Sequence, residues 1–346
     1  MKIGLVGFAG SGKTTVFNAM TGLHAPVGFG GELRIGTVRV PDTRIDALSK
    51  VFSPKKTTYA EISFSDIPGE HGAERKGLST KALAQIREQD ALCLVLRDFA
   101  SPAVEGDADP LRDLEAFHIE CLFADLEVIE RRLDRARREK AAKPEIELLE
   151  RLKRTLDEGK PLRAIPHSEI DRASLRGYSF LSDHPLLVAL NRDESHAREP
   201  MPTELAERIA TVHSAGLVLS ASVEAEIAAL GPDERAAFLD DLGVSESALA
   251  RFIRAAYGLL DLISFFTVGS DEVRAWPIRR GMVARQAAGR IHSDLERGFI
   301  RAEVIPYATF IAHGSEHAVK TAGLLQIEGK DYVVADADIM HVRFNV

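Results

Sequence analysis

Short apolar runs at 2–6, 61–65, 91–96, 186–190 and 217–220 recur along the first three quarters of the chain, mostly separated by stretches with helical periodicity. Buried-strand candidates this short and spaced by helices predict a mostly parallel sheet covered on both faces. The first run ends at Gly7, a Gly-rich turn follows, and 14–20 reads as a helix, which makes strand, loop and helix in that order.

The alternation breaks between about 114 and 156. Leu122, Leu126, Ile129, Leu133 and Ala136 repeat at spacings of four and three, the seam of a coiled-coil-like helix. Pro144 suits the first turn of a second helix, which carries Leu148, Leu149, Leu152 and Leu156 on one side. Two antiparallel helices inserted into the α/β domain are predicted. From Phe265 the pattern turns to β-like segments at 265–268, 273–276, 298–304 and 331–334, punctuated by Gly and Pro. The expected organisation is a discontinuous domain over 1–112 and 178–264, a helical insertion over 113–177, and a small β-rich domain over 265–346.

A length of 346 residues suits about two domains. With 45% hydrophobic and 28% charged residues, global disorder and collagen-like repetition are excluded. The two cysteines, Cys93 and Cys121, sit in an apolar run and a helix-like stretch and read as buried reduced thiols. No apolar stretch reaches the roughly 18 to 20 residues that span a bilayer, and the first residues carry no signal-peptide cleavage pattern. A cytoplasmic protein that makes no membrane contact is expected.

The net charge of −8 argues against nucleic-acid binding over the whole surface. The charge is uneven, however. Residues 131–154 hold ten Lys or Arg against five Asp or Glu, and 274–301 hold seven Arg against Asp294 and Glu296, so each stretch is net +5 and the remainder −18. Arg131, Arg132, Arg135, Arg137 and Arg138 in the first stretch, and Arg279, Arg280, Arg285 and Arg290 in the second, are candidate contacts for RNA or ribosome. The competing reading is two solvated faces laced with salt bridges.

The string GFAGSGKT at 7–14 matches G-x-x-x-x-G-K-S/T. In this pattern backbone N–H groups of a Gly-rich loop and the next helix N-terminus cradle phosphates. Gly7, Gly10, Ser11, Gly12, Lys13, Thr14 and Thr15 are therefore expected to bind nucleotide. Lys13 would reach the β- and γ-phosphates, and the Thr14 hydroxyl would ligate Mg²⁺. The string DIPG at 66–69 matches D-x-x-G, with Asp66 on the metal side and Gly69 at the γ-phosphate. Two later runs end in Asn191-Arg-Asp-Glu194 and Ser220-Ala-Ser222. Many GTPases have N-K-x-D and S-A-K in these places, where the Asp reads guanine. Glu194 in place of Asp, and Arg192 in place of the stacking Lys, predict an altered base preference.

Together these residues resemble the YchF/Obg-like ATPase family, Obg-related P-loop NTPases. The C-terminal strings at 272–276, 286–292, 298–302 and 328–332 look like that family's TGS-type domain. The resemblance implies a P-loop G domain with a helical arm and a small β-grasp TGS-like domain. It also implies binding of ATP or ADP, with GTP or GDP possible, slow hydrolysis with Mg²⁺, and association with ribosomes or translation factors. Three departures point to a diverged paralogue. The family P-loop usually has Asn where this chain has Gly10, a position associated with potassium-assisted activity. The Mg²⁺-binding Thr of switch I falls near Gly30, with Thr37 the nearest substitute. Where the family has a hydrophobic residue after D-x-x-G, Glu70 and His71 stand here. They are candidates for orienting or deprotonating water; alternatively Glu70 repels a γ-phosphate and His71 is an ordinary surface histidine.

Two functions of different class follow. One is a slow ATPase or GTPase switch that signals nucleotide state to a translation-related partner. The other is a non-hydrolysing nucleotide-binding adaptor that binds RNA or protein through arm and C-terminal domain. A P-loop small-molecule kinase is disfavoured, because kinases do not need the loops at 191–194 and 220–222. Trp276 reads as core before base-stacking residue, and the eleven histidines show no metal-ligand spacing.

Overall fold

The structure is a computed structural model that describes all residues except 28–31, 69–78, 102–103, 141, 167, 176, 242–245 and 346. In chain order its strands are β1 (Lys2–Val6), β2 (Arg34–Arg39), β3 (Lys56–Thr58), β4 (Glu61–Asp66), β5 (Ala91–Asp98), β6 (Leu186–Arg192), β7 (Ala215–Leu219), β8 (Leu262–Thr267), β9 (Glu272–Arg279), β10 (Phe299–Pro306), β11 (Gln326–Glu328) and β12 (Asp338–Phe344). The residues divide into two units, Met1–Val38 with Ser63–Ala255, and Arg39–Ile62 with Ala256–Val346.

The first unit is built on a sheet of order β2-β4-β1-β5-β6-β7. Strands β4, β1, β5, β6 and β7 pair in parallel. The central strands β5 and β6 are buried almost end to end, which is why their sequences are apolar without alternation. One face packs Leu94, Leu96, Val188 and Leu190 against Phe117, Leu205 and Ile209 from covering helices. Elsewhere in the unit Phe64 of β4 meets Phe252 with ring centroids 5.4 Å apart. Cys93 and Cys121 are buried free thiols, and burial pushes both up from the usual thiol range.

The arm starts as one of those covering helices. Helix Pro110–Arg138 is capped by Asp109, whose side chain accepts from the Arg112 N–H, and has Pro in its first turn. Its early residues Leu114, Phe117 and Cys121 belong to the core of the sheet. Leu122, Ile129 and Leu133 then pack with Leu149, Leu152 and Leu156 of helix Lys143–Asp157. The fully buried Asp125 carboxylate accepts from the Leu181 and Ser182 N–H groups at 2.8 and 2.7 Å and fastens the helix to the returning chain.

In the second unit the sheet order is β11-β10-β12-β8-β9-β3. Ile263, Phe265, Ile278, Val304 and Met340 close its core with Ala284 and Ala287 of helix Ala284–Ile291, a β-grasp arrangement. Trp276 is half-buried in this core: its indole N–H donates to Thr267 Oγ1 at 2.9 Å and the Arg274 guanidinium lies 4.0 Å above its ring. The segment Arg39–Ile62 departs from the organisation expected above, which placed it with the nucleotide-binding residues. Strand β3 pairs in parallel with β9, and Phe52 of helix Thr43–Phe52 stacks on Phe310 at 5.3 Å. A three-residue strand reading KTT carries no apolar signal, so this pairing is invisible in the pattern.

Candidate functional site

Strand β1 ends at Val6 and helix Lys13–Thr21 begins six residues after Gly7. Gly12 caps that helix with φ of 89°, in the left-handed region. A Cβ there would also lie 2.3 Å from Asn191 Nδ2, so glycine is required twice over. No side chain caps the helix, which leaves its first N–H groups for an anionic ligand. The Lys13 ammonium folds back over the loop and donates to the Gly7 and Phe8 carbonyls at 2.6 and 3.0 Å. Burial lowers Lys13 from its ordinary value to about 8, against the opposing pull of Asp66.

Opposite the loop, β4 delivers Asp66 at its C-terminal end. The Thr14 hydroxyl donates to Asp66 Oδ2 at 2.9 Å. Arg34 of β2, which no sequence motif singles out, stands 3.7 Å from the same carboxylate and donates to the Pro26 carbonyl at 3.0 Å. A lone Arg on an edge strand offers no sequence signal. Thr37 is exposed on β2 with its hydroxyl 3.4 Å from Ser63, and no hydrogen bond among the described residues joins it to Thr14 or Asp66. Gly28 to Gly31, Gly69, Glu70 and His71 lie outside the described residues.

The third part comes from the ends of β6 and β7. Asn191 is buried and bridges two loops: its Nδ2 donates to the Ser11 carbonyl at 3.0 Å, and its Oδ1 accepts from the Ala221 N–H at 3.0 Å. Ser220 is buried with its hydroxyl 3.0 Å from that of Ser222, which is exposed. Arg192 has no freedom to lie on a base. Its Nε donates to Asp98 at 2.6 Å and its Nη1 to the carbonyls of Glu199 and Pro200 at 3.1 Å each. Asp193 caps the short turn Glu194–His196 and accepts from Ser195 and His196, bonds that hold its carboxyl down near 2. Glu194 is exposed at the start of that turn, and Thr15 is half-buried in the first turn of helix Lys13–Thr21. Among the described residues no group of three or more His, Cys, Asp or Glu side chains forms a metal site.

A phosphate loop between β1 and its helix, the Thr14–Asp66 pair, and a parallel sheet that brings Asn191 against Ser11 define a P-loop NTPase with a G-type domain. Residues 2–127 match the family described as 50S ribosome-binding GTPase, and residues 262–345 match the YchF GTPase C-terminal family, described as a protein of unknown function. The chain is 38% identical to the ribosome-binding ATPase YchF of Bacillus subtilis over 99% of each chain. It is 35% identical to Obg-like ATPase 1 of Oryza sativa subsp. indica over 100% of this chain and 92% of the relative. The solved structure of the Schizosaccharomyces pombe YchF GTPase superposes at a TM-score of 0.88 with 30% identity, covering 99% of this chain and 97% of that one. The chain belongs to the YchF family of Obg-like ATPases.

Proposed function

We propose that the protein is a cytoplasmic, Mg²⁺-dependent switch that binds and slowly hydrolyses ATP, with its nucleotide state read by the ribosome. The observation that carries the metal-dependent part is the Thr14 hydroxyl against the Asp66 carboxylate at 2.9 Å, beside Lys13. Two hard oxygen donors at the mouth of a phosphate loop fit Mg²⁺, which usually takes one or two protein oxygens along with phosphates and water. When bound it would neutralise charge on the β- and γ-phosphates. In this reading Lys13 leaves the Gly7 and Phe8 carbonyls for the phosphates, and Arg34 balances Asp66. Asn191 holds the phosphate loop against the loop at 220–222, and Glu194 borders the base. Glu70 and His71 remain the candidates for positioning water.

Support for the ribosome as partner comes from the relatives' names and from the two basic stretches. In the arm Arg132, Arg135 and Arg137 pair with Glu145, Glu139 and Glu150 at 2.7, 2.8 and 3.0 Å. Arg131 and Arg138 instead donate only to the Glu127 and Asp134 carbonyls of their own helix, and form no ion pair among the described residues. In the β-grasp unit Arg280 pairs with Asp261 and Arg285 donates to the Glu296 carbonyl, while Arg279 and Arg290 have no ion pair among the described residues. Arg131, Arg138, Arg279, Arg285 and Arg290, without an ion pair among the described residues, are the residues best placed to meet phosphates. No helix among the described residues is long and apolar enough to cross a membrane.

The test is single-turnover hydrolysis of ATP and GTP with Mg²⁺, with and without ribosomes, against Lys13→Ala. Cleavage above that control, stimulated by ribosomes, is expected. None above it in any condition would replace the switch with the non-hydrolysing adaptor.

A further inference from the structure

Gly10 sits at φ of 76°, and the position its Cβ would take is 2.1 Å from Val104 Cγ2. That separation is far below van der Waals contact, so the space for any side chain at position 10 is filled by a methyl of Val104. Val104 belongs to the connection between β5 and helix Pro110–Arg138. This connection is fastened by the buried Arg97 of β5, whose guanidinium donates to the Phe99 carbonyl at 3.2 Å and the Gly106 carbonyl at 3.1 Å. The Val104 N–H donates to the Ser101 carbonyl at 3.2 Å. Two glycines of the phosphate loop are thus met from outside, Gly12 by Asn191 and Gly10 by Val104.

We infer that Val104 is a positioning residue for nucleotide phosphates, acting through Gly10, with Arg97 as its anchor. The inference rests on the reading of 7–14 as the phosphate cradle. In such a cradle each N–H must point at a phosphate oxygen, and a Gly-rich loop has little side-chain packing of its own to hold that arrangement. The Val104 methyl supplies the missing packing at the residue with no side chain. Gly10 and Val104 are a matched pair: a larger residue at one requires a smaller residue at the other.

The experiment compares the full-length chain with Gly10→Ala, Val104→Ala, Gly10→Ala/Val104→Ala and Lys13→Ala. ATP affinity is measured by calorimetry, and the melting midpoint is measured without nucleotide. Gly10→Ala is expected to weaken ATP at least tenfold. Val104→Ala alone should weaken it about threefold with the melting midpoint unchanged. The double variant is expected to recover at least fivefold over Gly10→Ala. Unchanged ATP affinity in Gly10→Ala, or no recovery in the double variant, overturns the inference, because backbone strain at φ of 76° alone is not relieved by shortening Val104. If Gly10→Ala does not fold, refolding in the double variant supports the pairing and failure to refold overturns it. ATP binding undiminished in Lys13→Ala would instead overturn the phosphate-cradle reading itself.

Discussion

The Thr14 hydroxyl donates to Asp66 Oδ2 at 2.9 Å, joining the first helix turn after the phosphate loop to the end of β4. Residues 52 positions apart meet because β1 and β4 pair in parallel with Leu5 opposite Asp66. If this pair holds the metal, Thr14→Ala and Asp66→Ala should each slow Mg²⁺-dependent single-turnover hydrolysis about a hundredfold, roughly 2.7 kcal/mol of lost stabilisation. ATP binding measured in EDTA should change far less. Full hydrolysis in either variant would remove the pair from the metal site.

Lys13 gives a proton signature. Burial holds its ammonium at about 8 in the free protein, below its ordinary 10.5. Above pH 8 the free protein carries Lys13 largely neutral, whereas phosphates in the loop favour the charged form. ATP binding should therefore take up about half a proton at pH 8 and approach one at pH 9.5. Calorimetry in buffers of different ionisation enthalpy reads this directly, and the uptake should vanish in Lys13→Met. The stability sign is the opposite of an ion pair's. Between 8 and 10.5 the unfolded chain binds more protons at this group, so its contribution to stability rises with pH across that window.

Asn191 links two loops through both ends of one amide, so replacing it orphans the Ser11 carbonyl and the Ala221 N–H together. Each buried unsatisfied group costs about 1–3 kcal/mol. Asn191→Ala should lower the melting midpoint by about 5–10 °C and weaken ATP more than tenfold. Asn191→Asp should be no better, since it sets a carboxylate against the Ser11 carbonyl. A normal melting midpoint in Asn191→Ala would show that the bridge carries no stability.

Base preference follows from what replaces the usual guanine-reading residues. The Arg192 guanidinium is drawn to Asp98 and to the Glu199 and Pro200 carbonyls, and Glu194 has one more methylene than Asp. ATP and ADP should bind at least as tightly as GTP and GDP in calorimetric titrations. Guanine nucleotides binding tenfold tighter would contradict the assignment of Glu194.

These predictions rest on features of unequal legibility. The phosphate loop was readable because its backbone path tolerates only certain residues at fixed spacing. The arm was readable because Leu122, Ile129 and Leu133 must face one seam. The bridge made by Asn191 was half readable: its place after an apolar run marked it for the nucleotide site, but its partners lie in loops far apart in sequence. Strand β7 starts at Ala215, ahead of the apolar run, because its first pairs, Leu187 with Ala215 and Val188 with Gly216, depend on the neighbouring strand and not on local hydrophobicity. The transfer of Arg39–Ile62 to the second unit was unreadable for the same reason, as Lys56 pairs with Glu272 more than 200 residues away. The sequence puts Arg192 where a stacking Lys would stand, yet the direction of its side chain depends on Asp98 of another strand.

A net charge of +5 over residues 131–154 of the arm does not by itself make a contact surface. Exposed ion pairs such as Arg137 with Glu150 contribute little to stability, but a paired Arg must give up its partner to meet phosphate. Among the described residues Arg131 and Arg138 surrender only a bond to a helix carbonyl. Arg131→Glu/Arg138→Glu should therefore weaken ribosome association more than Arg135→Glu/Arg137→Glu. In titrations across salt it should reduce the steepness of log K against log salt by about two, near one for each phosphate no longer neutralised. A flat salt response in the unmodified protein, or undiminished association in Arg131→Glu/Arg138→Glu, would place the ribosome-binding surface elsewhere than on these residues, and equal weakening in the two double variants would show that the ion pairs do not decide which arginines meet phosphate.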